Sequence, residues 1–125
     1  MPGSAKIRYW LGSGAIAAAG AAMTLVFVIN LCDWIFDCGC RSWWDGAVDM
    51  CNVHNTHPPR CPWCANGEAF FNGVLAAILI PQTALAFLPA RWPWAVRFGA
   101  TLAAFPAVGW MVGLLSGWYF GYWSS

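Results

Sequence analysis

All six cysteines and both histidines of this 125-residue chain fall between Cys32 and Cys64. Cys51-Asn52-Val53-His54 followed by Cys61-Pro62-Trp63-Cys64 reads C-x2-H-x6-C-x2-C. These are two chelating pairs, each with the two-residue gap that lets both side chains reach one ion, joined by a loop short enough to fold over it. Thiolate and imidazole in a tetrahedral set suit zinc first, with copper or iron behind it. Four protein ligands close the coordination sphere, so a zinc ion held by Cys51, His54, Cys61 and Cys64 would be structural rather than hydrolytic. His57, just before Pro58-Pro59, is an alternative ligand. Cys32, Cys38 and Cys40 remain outside the set and are disulfide candidates, although the neighbours Cys38 and Cys40 are too close for an easy mutual bridge.

Two other chemistries compete. An even number of cysteines in a loop too small for its own core is also the composition of a disulfide framework, favoured wherever the loop faces an oxidising compartment. Cys61-Pro62-Trp63-Cys64 further reads as a thiol-exchange pair, yet nothing around it supplies the βαβ unit of the thioredoxin type. Ala65 stands where a covalent haem attachment would place histidine. Asp33, Asp37, Asp45 and Asp49 are read as solvated or paired with Arg41. No nucleophile, base and orienting acid emerge from the spacing, so no catalytic residue is assigned.

The elements that position this island are hydrophobic. The chain is 60% hydrophobic and 9% charged, whereas a soluble domain carries about a quarter charged residues to wet its surface. An all-α integral membrane protein is expected, with three transmembrane helices over residues 9–31, 69–88 and 98–123. Each is long enough, at about 1.5 Å per residue, to cross roughly 30 Å of hydrocarbon. The first is read as retained rather than cleaved, because no small-x-small site follows Ile29. Residues 32–68 then form a Cys/His/Trp-rich extracytoplasmic loop, between an N-terminal segment 1–8 and a turn 89–97 on the cytoplasmic side. Lys6, Arg8, Arg91 and Arg97 set that orientation by the positive-inside rule, which puts the loop and the C-terminus in the periplasm of a bacterial inner membrane. With only six basic residues, nucleic acid is excluded as a partner.

Gly109, Gly113, Gly117 and Gly121 recur every four residues in the third span, lining one helix face as a groove for another backbone. Gly12, Gly14, Ala18, Gly20 and Ala22 offer a matching surface in the first, so the groove packs either within the chain or on another integral membrane protein in the bilayer. The predicted spans hold no Asp, Glu, Lys, Arg or His, which argues against transport. The leading expectation is a non-catalytic accessory subunit of a larger respiratory, photosynthetic or oxygenase-type membrane complex, its outer loop stapled by metal or disulfides. Periplasmic copper binding and delivery, and thiol-disulfide exchange, are the alternatives.

Overall fold

The computed structural model describes residues 2–124 and is all-helical, with no strand among the described residues. Helices α1 (Pro2–Phe36), α3 (Gly67–Ala86) and α4 (Trp94–Tyr119) are long and apolar enough to cross a membrane. The single-turn helix α2 (Pro62–Ala65) leads into α3. Helix α1 outruns the predicted span 9–31 at both ends, since nothing in residues 2–8 or 32–36 breaks it. It ends where Asp37 adopts a left-handed conformation, φ 50°, while its amide bonds the Asp33 carbonyl. Helices α3 and α4 run on through Pro81 and Pro106.

The three long helices alternate in direction. At one end the Tyr9 hydroxyl donates to the carbonyls of Phe87 and Leu88. At the other, the Tyr122 hydroxyl donates to the Phe36 carbonyl, so the cysteine loop and the C-terminus share one end of the bundle. Rings gather at both ends, Trp10, Trp92 and Trp94 against Trp34, Trp44, Trp118 and Tyr119, all exposed as interfacial aromatic belts are.

Close helix approach depends on the glycines of α4. A Cβ on Gly109 would stand 2.3 Å from Leu31 Cδ2, one on Gly113 2.6 Å from Ile35 Cδ1, and one on Gly117 2.2 Å from the Trp123 ring. Three of the four groove glycines are therefore covered inside the chain by α1 and the C-terminal turn; Gly121 lies beyond the helix, at φ 65°. On α1, Gly20 gives the same clearance to Thr101 and Gln82.

Between these contacts lies a buried polar network. Thr24 Oγ1 donates to Gln82 Oε1 at 2.7 Å, and Gln82 Nε2 to the Thr101 carbonyl at 3.0 Å, which ties all three helices where an apolar surround leaves no water to compete. Because α4 begins at Trp94, Arg97 lies in its first turn rather than in the connecting turn. Its buried guanidinium donates to Ser13 Oγ and the Ala86 carbonyl and stacks over the Tyr9 ring. Gly113→Val would press against several Ile35 atoms, overpacking the α1–α4 seam by about 1–3 kcal/mol; a lower thermal midpoint in detergent micelles is the expected readout.

Candidate metal centre

Three stretches of chain deliver the six cysteines. Cys32 projects from the last turns of α1. Cys38 and Cys40 follow directly, with Gly39 between them at φ 89° and its amide bonded to Asp33 Oδ1. A side chain at Gly39 would be strained, and its Cβ would meet the Met50 carbonyl oxygen at 2.5 Å, so the C-G-C turn requires glycine twice over. Residues 42–44 fold back along α1, where Trp43 Nε1 donates to the Leu25 carbonyl and Asn30 Nδ2 to Ser42 Oγ. The chain then returns, the Asn52 amide bonding the Cys38 carbonyl at 2.6 Å, and this brings Cys51 beside the C-G-C turn. In α2, Pro62 occupies the first turn, where its missing N–H costs nothing, and Cys61 and Cys64 fall one turn apart on one face.

All six cysteines are free thiols, and their sulfurs converge. Cys32 Sγ lies 2.8 Å from Cys61 Sγ and 3.5 Å from Cys38 Sγ, and Cys38 Sγ lies 3.4 Å from Cys40 Sγ. Four triads have their sulfurs within 4.8 Å of one another: Cys32–Cys38–Cys61, Cys32–Cys40–Cys64, Cys38–Cys40–Cys51 and Cys51–Cys61–Cys64. Six cysteines thus sit within metal-binding distance. Five are buried; Cys64 is half-buried and lines a cavity of about 560 Å³ together with His54, Trp63, Glu68 and Phe71.

The structure brings Cys51, Cys61 and Cys64 together, as the spacing predicts, but in company with Cys32, Cys38 and Cys40 rather than His54. The exposed His54 ring bonds the Val48 carbonyl through Nε2 at 2.9 Å, because the turn Asn52–His54 swings it to the outside. His57 is exposed on the stretch beside Pro58. Arg41 pairs with Asp45 at 3.5 Å, both of them exposed.

Electrostatics inside the cluster are in conflict without a cation. Cys38 and Cys64 are held well below the usual thiol range, each chiefly by the Cys32 sulfur beside it, whereas burial pushes Cys51 up to about 11. Ionising all six would crowd like charges into one buried volume, and protonating all six would leave sulfurs with weak donors in place of strong ligands. A bound cation removes both difficulties, since the thiolate is the ligating form.

Two residues that spacing did not single out hold the cluster in place. Asn52 Oδ1 accepts the Cys61 amide at 2.7 Å, while its Nδ2 donates to the Tyr122 hydroxyl at 2.8 Å, so one side chain joins the second cysteine pair to the bundle end. The Phe36 ring lies edge-on to Trp63 and Tyr122 and stacked with Trp123, forming an aromatic floor. Neither residue carries a sequence signal, because an asparagine in a polar loop and a tyrosine near a helix end are ordinary in both places. Asn52→Ala leaves the Cys61 amide without its acceptor and takes one bond from the Tyr122 hydroxyl, which keeps its bond to the Phe36 carbonyl, and is expected to destabilise the loop by about 1–3 kcal/mol. Faster alkylation of the cysteines, with the far-ultraviolet helix signal unchanged, is the measurement that checks it. No protein-family model matches the chain, and no curated protein or solved structure matches it either.

Proposed function

We propose that this chain is a membrane-anchored protein that binds and passes on a soft metal ion, copper(I) first, at the outer end of its helix bundle. The observation that carries this reading is the convergence of six free thiols, five of them buried, on one site without a histidine or carboxylate among the grouped ligands. An all-thiolate site selects soft ions. Its sulfurs group in threes, the coordination number that copper(I) accepts and that leaves zinc one ligand short. The half-buried Cys64, opening on the cavity beside His54 and Glu68, supplies a way in and out that a purely structural ion does not need.

Lys6, Arg8 and Arg91 lie at the end opposite the cysteines, so the positive-inside rule turns the cluster outward, to the periplasmic face of a bacterial inner membrane. The glycine groove that would dock a partner subunit is filled within the chain. Support for an accessory-subunit role therefore falls on the exposed interfacial rings alone, which lipid satisfies equally well. A zinc knuckle on Cys51, Cys61 and Cys64 is the second reading, favoured by their shared triad and the C-x2-C spacing.

The test is competition. Protein purified anaerobically in detergent and offered copper(I) and zinc together is expected to keep copper through gel filtration, lose zinc, and surrender the copper to a thiol acceptor within minutes. Retention of zinc with exclusion of copper would move the assignment to a structural knuckle. Cysteines recovered as disulfides from membranes lysed without reductant would remove the metal reading altogether.

A further inference from the structure

The way the four triads share their sulfurs has a consequence for how many ions the site holds, one that rests on the copper(I) reading. Every sulfur belongs to two triads, and any two triads have one sulfur in common. That is the connectivity of the six corners of an octahedron and four of its alternate faces. An ion on each such face receives three sulfurs, every sulfur bridges two ions, and the ions form a tetrahedron inside the sulfur shell. We propose that the six cysteines build a tetranuclear copper(I) thiolate cage, with one ion at each of the four triads.

Dimensions agree. With a metal–sulfur bond of about 2.3 Å, the sulfurs of a three-coordinate ion stand about 4 Å apart, inside the 4.8 Å that encloses each triad; the pairs at 2.8, 3.4 and 3.5 Å open toward that spacing as ions enter. Other nuclearities fit less well. Two zinc ions in tetrahedra that share an edge would leave four sulfur pairs separated by roughly 5 Å or more, whereas the triads hold twelve of the fifteen pairs within 4.8 Å and so leave three. Four zinc ions would each need a fourth ligand, and no histidine or carboxylate joins the groups found among the described residues. An iron–sulfur cluster sets its cysteine sulfurs around an inorganic core, farther apart than ligands of a shared ion.

The chemistry balances without oxidant or reductant. Six thiols and four Cu+ give a cage of formal charge minus two and release six protons; six S–H bonds break and twelve Cu–S bonds form. Monovalent ions thus cancel most of the thiolate charge that the buried site could not otherwise hold. Cys64, half-buried, belongs to two faces and gives incoming copper its first contact.

The experiment is anaerobic titration of the detergent-purified full chain with copper(I) presented as a chromophoric chelate, followed by X-ray absorption on the loaded protein. Uptake is expected to saturate at four copper ions per chain in one cooperative step, with three sulfur neighbours per ion and copper–copper scattering at about 2.7 Å, the distance that bonds of about 2.3 Å impose. Since each sulfur serves two triads, Cys64→Ser and Cys51→Ser should each lower capacity by about half, and His54→Ala should leave it unchanged. Saturation at one to three ions, or absence of copper–copper scattering, overturns the cage while the copper reading stands. Failure to bind copper(I) at all removes both. The wild-type stoichiometry and scattering decide the matter even if a cysteine variant does not fold.

Discussion

Six sulfurs must share one small volume, and the cysteine-bearing end of the helix bundle is organised by that requirement. The loop between α1 and α3 is too short to bury an apolar core of its own. Its interior is instead the cysteines, with Trp63 and Phe36 beneath them. Bringing sulfurs from a helix end, a tight turn, a returning strand of chain and a new helix to one point fixes the path of the chain between them. Gly39 must then take a conformation closed to other residues, the Met50 carbonyl must pass over it, and Asn52 must bond in both directions. The site supports the loop as much as the loop supports the site.

The bundle supplies the rigid frame. In lipid, helices gain nothing from burying apolar surface against one another, so their association rests on close packing and a few hydrogen bonds. Here the glycines of α4 let Leu31 and Ile35 of α1 approach its backbone, on either side of the level at which Cys32 projects. The Thr24–Gln82–Thr101 network fixes register nearer mid-bundle, and Arg97 with Tyr9 fastens the far end. Cys32 is therefore positioned by α1, and Cys61 and Cys64 by the start of the α2–α3 segment. The distance between those two groups is set by helix packing. A change deep in the seam would reach the metal centre through this geometry without touching a ligand.

Burial also governs chemistry. Five of the sulfurs are buried, which shields thiols from oxidants, while Cys64 keeps one edge of the cluster in contact with a largely apolar cavity that His54 and Glu68 also line. A fully closed cluster would exchange no ion with its surroundings, and a fully open one would leave every thiol exposed to oxidants. The arrangement lies between, with five sulfurs buried and one half-buried.

Composition and hydropathy determined much of this protein from sequence. The three apolar helices and the confinement of all reactive residues to one loop are one-dimensional properties, set by runs of side chains against the thickness of a membrane. The glycine period in α4 likewise announced a close helix contact, because a four-residue repeat always lines one face. Tertiary structure decided what met that face, since Leu31 and Ile35 lie more than seventy residues away in sequence and Trp123 reaches Gly117 only because the chain turns back after α4. It also decided the composition of the cluster. Local spacing paired Cys51 with His54 and left Cys32, Cys38 and Cys40 aside, for a chelating gap says only that two side chains can reach one ion. Which of them turn inward depends on a helix cap at Asp37, a glycine with positive φ and an asparagine bonded across the loop. Those contacts join residues with no periodic relation, and they set six sulfurs at the corners of one polyhedron.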